Sequence, residues 1–151
     1  MHDLRGKTAI VTGGAHRIGR ALAERLAREG MHVCISYAKS RAAALETIKV
    51  LEGYGIRPQA THADFSDPVS AAQRLIAAAQ ASYGPLNVLV NCAAIFEPGR
   101  LAETDEADWD RHLNINLKAP AFLCREFAKC LAPGRTAHIV NIVDWRALRP
   151  G

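Results

Sequence analysis

Short apolar runs alternate along this chain with longer stretches in which apolar residues recur every three or four positions. Five of the runs predict β-strands, over residues 7–13, 31–37, 57–64, 86–94 and 137–143. The first, fourth and fifth runs are nearly continuously apolar in their middles, which is typical of strands that are covered on both faces.

Four helices are predicted between the strands. In the first helix, Ile18, Leu22 and Leu26 recur at four-residue spacing, and Gly30 follows as a stop. Asp67 is suited to cap the third helix, because a carboxylate at that position accepts backbone N–H groups. The second, third and fourth helices are predicted over residues 41–51, 68–83 and 106–131.

Five strands that alternate with four helices predict right-handed β-α-β crossovers. They therefore predict the α/β class with a doubly wound parallel sheet, the Rossmann architecture. No linker or low-complexity tract divides the chain, so residues 1–151 are predicted to form one domain. Ligands of such sheets lie at the carboxyl ends of the strands, near the point where the strand order reverses. The residues that follow each strand are therefore the candidates for function.

Composition limits the classes of function. Apolar residues make up 49% of the 151 residues and charged residues 23%, as in a soluble globular protein. The N-terminus lacks a signal-peptide pattern and no apolar run is long enough to cross a bilayer, so we expect a cytoplasmic protein without a membrane partner. The net charge of +4 is spread beside acids, which argues against a nucleic-acid partner. Four cysteines without a CxxC pair and six scattered histidines predict no metal site.

A glycine-rich turn with the sequence TGGAHRIG follows the first strand and leads into an amphipathic helix. Gly13, Gly14 and Gly19 let backbone N–H groups and the helix N-terminus approach a phosphate. A simple tight turn is the alternative, but glycines in this place between a strand and a helix favour a dinucleotide site.

The end of the second strand carries cations and no acid. No Asp or Glu occurs between residues 30 and 45, where an NAD-binding domain usually has an acid for the ribose 2′-hydroxyl. Lys39, Ser40 and Arg41 are present instead, and such groups suit a 2′-phosphate. This pattern favours NADP(H) over NAD as the cofactor, and a polar loop leading into a helix is the alternative.

The turn TGGAHRIG resembles the TGxxxGxG turn of the short-chain dehydrogenase/reductases, with Arg17 in the place of the middle glycine. An Arg at this place is usual in the pteridine reductase branch of that family, which includes bacterial dihydromonapterin reductases. The resemblance implies that the turn and the end of strand two bind NADP(H), through Gly13, His16, Arg17, Ile18, Gly19, Tyr37, Lys39 and Ser40.

The ends of strands three and four continue the resemblance. Asp64 and Phe65 match the family's adenine contact, although the same Asp could belong to a helix cap. The stretch NCAAIF stands where the family commonly has NNAG. This implies that small or polar residues line the cofactor ribose, namely Asn91, Ala93 and Ala94. Phe96 lies where pteridine reductases place a ring that stacks on the pterin, and an ordinary buried Phe is the alternative.

Two further residues resemble the family's catalytic machinery. Asn116, in NINLKAP, matches the Asn that supports an active-site water and the catalytic lysine. Asp144 follows strand five in NIVD, which resembles the pteridine-reductase version of this segment, where Asp works beside the catalytic Tyr. A carboxyl group there can relay or orient the proton that reduction of a C=N bond requires. A cap or turn role for Asp144 is the alternative.

The family's proton donor is a Tyr followed four residues later by Lys, and none of the three tyrosines here has that spacing. The resemblance therefore implies a sequence that is truncated before this segment and a chain that is catalytically incomplete by itself. We also expect strand five to be an exposed apolar edge. A longer protein is expected to form a homo-oligomer through the fourth helix, as family members commonly do.

The sequence thus predicts an NADPH-dependent oxidoreductase that transfers hydride to a pteridine-like small molecule, such as a dihydropterin or dihydromonapterin. A general carbonyl or 3-oxoacyl reductase of the same family is the second interpretation, and Arg17 and Asp144 argue against it. A non-catalytic dinucleotide-binding module is the third interpretation.

Overall fold

The strands form one parallel sheet in the order β3-β2-β1-β4-β5. The structure is a computed structural model, and it describes residues 3–144. The strands are β1 (Thr8–Val11), β2 (His32–Tyr37), β3 (Gln59–His62), β4 (Val88–Asn91) and β5 (His138–Asn141). The strand order reverses between β1 and β4, which pair in parallel. The predicted doubly wound parallel sheet is confirmed, and its switch point lies beside β1.

Helices cover both faces of this sheet. They are α1 (Arg17–Arg28), α2 (Arg41–Glu52), α3 (Pro68–Tyr83), α4 (Glu106–Leu113) and α5 (Ala119–Lys129). A 3₁₀ turn at Leu101–Glu103 precedes α4. As predicted, Asp67 caps α3, where its carboxylate accepts the Ser70 N–H at 3.4 Å.

The predicted fourth helix forms without a break from Glu106 to Lys129, but its middle is π-helical rather than α-helical. A π-helical segment, Asn114–Lys118, separates α4 from α5. Such widened turns occur preferentially at functional sites, and they leave no hydrophobic period that a sequence pattern could reveal. The segment contains Asn116, whose side chain is used in the site described below.

The buried face of α1 consists of small residues. Gly19, Ala23 and Ala27 are buried, whereas Ile18 of the predicted apolar stripe is 59% exposed. Leu22 and Leu26 are only partly buried, at the margin of the core. Small side chains let α1 approach the sheet closely, directly after the glycine turn. The four-residue spacing therefore predicted the helix correctly: Leu22 and Leu26 border the core, although the most deeply buried positions are the small residues beside them.

The core lies on both faces of the sheet, because successive strand residues point in opposite directions. Ala9 and Val11 of β1 pack with the side chains of α1 and α2, whereas Ile10 packs with those of α3 and α5. Ala9, Ile10 and Val11 are all fully buried. Within residues 3–144, no helix combines the length and the apolar character that crossing a membrane requires.

Strand β5 differs from the other strands because it forms an exposed edge. Ile139 and Val140 are 41% and 44% exposed. The prediction that this strand is covered on both faces is therefore wrong for the described part of the chain, because β4 is the element that chiefly contacts β5 there. The expected exposed apolar edge is confirmed.

Candidate functional site

A cleft of about 880 Å³ runs along the carboxyl ends of the strands. It brings together most of the predicted site residues, which come from five separate parts of the chain. Those that line it are Gly13, His16, Arg17, Ile18, Gly19, Tyr37, Lys39, Ser40, Asp64, Phe65, Ala93, Ala94 and Asp144. The cleft lies where parallel α/β sheets bind ligands.

The glycine turn is so tightly packed that side chains are excluded. A Cβ on Gly19 would lie 2.3 Å from the Gly13 carbonyl oxygen, and one on Gly14 would lie 2.5 Å from Cγ2 of Ile35. Gly13 has a φ of +66°, a conformation that glycine adopts without a steric penalty. The turn therefore brings backbone to the edge of the cleft, as the approach of a phosphate group requires.

Arg17 also has a left-handed backbone, with a φ of +47°. The family's turn usually has glycine at this position. The left-handed backbone explains that preference, because glycine adopts it without strain. A non-glycine residue in this region costs about 1 kcal/mol. The arginine side chain is exposed and lines the cleft beside the N-terminus of α1.

Thr12 joins the turn to the segment that follows β4. Its Oγ1 atom accepts the N–H groups of Cys92 and Ala93, at 2.9 and 3.0 Å. Thr12 is buried, and its hydroxyl lies 3.4 Å from the Val90 carbonyl oxygen. Sequence reasoning missed this residue, although a hydroxyl at the end of the first strand, directly before two glycines, was an available signal.

The second and third strands end in groups of opposite charge. Lys39 and Ser40 line the cleft after β2, and no carboxylate of β2 or of the loop after it stands beside them. Asp64, after β3, accepts the Ser66 N–H at 3.0 Å. This hydrogen bond is the main cause that lowers the pKa of the Asp64 carboxyl; the Ser66 side chain is the next, and His62 and Lys39 contribute less. Asp64 is therefore an ionised acceptor at neutral pH, while the neighbouring Phe65 is 5% exposed and packs mainly in the core.

Asn91 is not one of the described residues that line the cleft. Its Nδ2 atom donates to Oδ1 of Asn141 at 2.8 Å and approaches Sγ of Cys124 at 3.4 Å. The amide thus lies between β4 and β5, beneath α5, and its Oδ1 atom is buried with no hydrogen-bond partner among residues 3–144. Cys92, the next residue, does line the cleft, and partial burial raises the pKa of its thiol.

Asn116 holds the loop after β4 in place. Its Oδ1 accepts the Ile95 N–H, and its Nδ2 donates to the Ile95 carbonyl oxygen, both at 2.9 Å. Two residues that the sequence did not single out, Glu97 and Arg111, form an ion pair on the rim of the cleft. The structure therefore gives Asn116 a positioning role, because the loop that it fixes forms part of the cleft wall.

Phe96 and Asp144 have different positions relative to the cleft. The Phe96 ring is 73% exposed and is not among the lining residues, so the alternative of a buried Phe is wrong. Asp144 lines the cleft together with Ile142 and Val143. The Ile142 N–H donates to the Asn91 carbonyl oxygen at 2.9 Å and so directs the chain after β5 toward the cleft.

Comparison with known proteins identifies the family. Residues 7–150 match the model of the short chain dehydrogenase family, and the chain belongs to that family of oxidoreductases. A short chain dehydrogenase from Burkholderia cenocepacia in complex with NADP superposes with a TM-score of 0.93 at 36% identity, over 99% of this chain and 60% of that one. A blue fluorescent protein from a metagenomic library, in complex with NADPH, gives 0.92 at 35% identity, with the same two coverages.

Two curated relatives also match most of this chain. A short-chain type dehydrogenase/reductase of Picea abies is 37% identical over 92% of this chain and 54% of its own length. A (3R)-3-hydroxyacyl-CoA dehydrogenase of Homo sapiens is 38% identical over 94% of this chain and 57% of its own length. The chain therefore spans a little more than half the length of these relatives.

Proposed function

We propose that the cleft binds NADP(H) and that the chain supplies the cofactor-binding part of an NADPH-dependent reductase. The observation that carries this proposal is the convergence on one cleft of the glycine turn and the cationic end of β2. The two structural neighbours named above were solved with NADP and NADPH, and this supports the same cofactor here.

The described residues fit this cofactor at both ends of its adenosine diphosphate half. The glycine turn has no room for side chains and lets a pyrophosphate approach the backbone at the N-terminus of α1. Lys39 and Ser40 suit the 2′-phosphate, and the ionised Asp64 can accept a hydrogen bond from the adenine amine. NADPH supplies a hydride when it is bound, and the residues of this chain bind and orient it.

Two substrate classes remain, and different observations support each. A pteridine-like heterocycle is favoured by Asp144, which lines the cleft and could orient a proton toward a ring nitrogen. Phe96 follows the lining residues Ala94 and Ile95, and its ring is exposed, as stacking on such a heterocycle requires. A carbonyl substrate such as a 3-oxoacyl thioester is favoured by the 38% identity to the human (3R)-3-hydroxyacyl-CoA dehydrogenase. The present residues fit either class.

A homo-oligomer is also part of the proposal. Trp109, Leu113 and Leu117 recur at four-residue spacing along α4 and the π-helical segment, and all three side chains are exposed. An apolar stripe of this kind favours burial against a second copy.

Direct titration tests the cofactor proposal with the chain as it stands. We expect NADPH to bind with at least tenfold lower Kd than NADH in isothermal titration calorimetry, because only NADPH carries the 2′-phosphate. Equal affinities would contradict the NADP assignment, and absence of binding would contradict the cofactor proposal as a whole.

The reading frame beyond codon 151 tests the non-catalytic alternative. A continuation that encodes Tyr-x-x-x-Lys would exclude a simple binding module. NADPH oxidation by the product of that longer frame, with dihydropterins and with acetoacetyl thioesters in parallel, then separates the two substrate classes. Turnover of the thioesters alone would reject the pteridine assignment.

A further inference from the structure

Two buried hydroxyl groups from two different elements hold the glycine turn. The Oγ atom of Ser36, on β2, accepts the Gly13 N–H at 3.2 Å. Thr47, on α2, donates its hydroxyl proton to the Ala15 carbonyl oxygen at 3.2 Å. The side chains are almost completely excluded from solvent, with exposures of 1% for Ser36 and 0% for Thr47. Neither residue belongs to the turn motif itself.

The two contacts are complementary in polarity. Ser36 satisfies an N–H group at the start of the turn, and Thr47 satisfies a carbonyl group near its end. The backbone of Ser36 adds a third bond, because its carbonyl oxygen accepts the Gly14 N–H at 3.1 Å. Buried backbone groups that lose such partners are destabilised, so each hydroxyl restrains the conformation of the turn.

These restraints do not depend on a bound ligand. The turn is held from β2 on one side and from α2 on the other, and Gly14 rests against Ile35 below it. A binding loop that already has its bound conformation loses less entropy on association. The N–H groups of Gly13 and Gly14 are both occupied by Ser36, so the groups that would bind phosphate oxygens are those of the turn after Gly14.

We propose that Ser36 and Thr47 are positioning residues that preorganise the turn for the cofactor's pyrophosphate, an inference that rests on the proposed NADP(H) site. Their contribution differs from that of Lys39, which faces the 2′-phosphate. The hydroxyl pair acts on the part that NADPH and NADH share. It therefore sets the affinity for both cofactors by the same factor and leaves their ratio unchanged.

The test compares three ligands on the chain carrying Ser36→Ala or Thr47→Val, the latter a replacement of similar shape. We expect the Kd values of NADPH and NADH to rise by the same factor, roughly three- to tenfold, for the loss of one buried hydrogen bond. The Kd of 2′-AMP, which has no pyrophosphate, should change by less than about twofold, because Lys39 and Ser40 are untouched. Ser36→Thr, which keeps a hydroxyl, should retain the NADPH affinity.

Thr61→Val is the matched control. Its hydroxyl, on β3, accepts from Nε2 of Gln59 at 3.1 Å and contacts Sγ of Cys34. It has no hydrogen bond to the turn, so NADPH affinity should remain that of the wild type. Thermal unfolding followed by circular dichroism shows which variants are folded. If Ser36→Ala does not fold, Thr47→Val carries the test alone.

Three results would overturn the inference. Unchanged NADPH affinity in the folded variants would show that the hydroxyls do not set the turn for binding. Equal weakening of all three ligands, 2′-AMP included, would show a general loss of structure. A change in the NADPH to NADH ratio would assign the effect to the 2′-phosphate. Failure of the wild-type chain to bind NADPH would instead refute the proposed cofactor itself.

Discussion

The sheet is more completely buried on the β2 side of the central strand β1 than on the β5 side. Toward β2, the interior of the sheet is closed, and Val33, Cys34 and Ile35 have no exposed surface. Toward β5, the sheet ends in exposed apolar residues such as Val140, and α4 has no buried residue. The first side carries the glycine turn and the cationic strand end, whereas the second carries Asn116 and Asp144. The part of the site that would bind adenosine diphosphate is thus enclosed within the described residues, and the part that would receive a substrate is open.

The largest predicted effect breaks the closed side. Gly19→Val introduces a Cβ atom that would lie only 2.3 Å from the Gly13 carbonyl oxygen. We expect a loss of about 3 kcal/mol from overpacking and a rise in the NADPH Kd on the order of a hundredfold. Calorimetric titration and thermal unfolding measure both quantities.

Gly99→Ala is the control on the open side, because no atom lies within 4 Å of the Cβ it would add. Its unfolding temperature and NADPH affinity should match the wild type. A Gly19→Val variant with intact affinity would contradict the description of the turn as a closed cradle.

The charge at the end of β2 should govern cofactor choice by a smaller amount. Lys39→Asp removes a cation and adds a repelling carboxylate, so the NADPH Kd should rise about tenfold to thirtyfold, while NADH binding is kept or improved. Lys49→Asp, at the exposed end of α2, makes the same change of charge away from the cleft. An unchanged ratio of NADPH to NADH affinity in Lys39→Asp would refute the role given to this strand end.

The open side should tolerate a charge. Val140→Lys places an ammonium group on the exposed edge of β5, where edge strands use lysine to prevent pairing with other chains. We expect less self-association in light scattering, with the NADPH Kd changed by less than about twofold. Unfolding of this variant would show that the edge is more fully packed than its 44% exposure indicates.

The smallest effect concerns Asp64. Its folded-state pKa is lowered from the ordinary value of 3.8, chiefly by the Ser66 N–H, so ionisation stabilises the folded protein above that value. This stabilisation is lost as the pH falls through the lowered folded pKa. The difference in free energy of unfolding between wild type and Asp64→Asn should therefore shrink as the pH falls below 3.8 in urea titrations. If the difference in free energy of unfolding does not change with pH, the charge of Asp64 does not contribute to stability.

Local patterns were sufficient to predict the strands, their parallel arrangement and the cap of α3, because each depends on a short stretch of sequence. The ends of the strands were enough to predict most of the cleft, since the fold itself brings those ends together. The apolar spacing of α1 identified Leu22 and Leu26, which border the core, but not the small residues that α1 buries most deeply. Its packing is set by the close approach of Gly19 and Ala23 to the sheet rather than by the larger side chains.

The features that could not be predicted depend on contacts between distant residues. Thr12 and Ala93 are 81 positions apart, and Thr47 and Ala15 are 32 apart. No periodicity reports such pairs. Asn91 was expected beside the ribose, but the direction of its side chain depends on Asn141 in the neighbouring strand, with which it pairs in register.

The pairing of β1 with β4 also sets the order in which the protein can acquire its ligand during synthesis. The first strand leaves the ribosome long before β4. The N–H groups that donate to the Thr12 hydroxyl are made about eighty residues later. Until β4 has been made, β2 is the strand with which β1 can pair, and closing the longer loop to β4 costs additional entropy. The wall of the cleft that contains Ala93 is therefore complete only after synthesis has passed β4, and we expect a nascent chain that ends before β4 not to bind a dinucleotide.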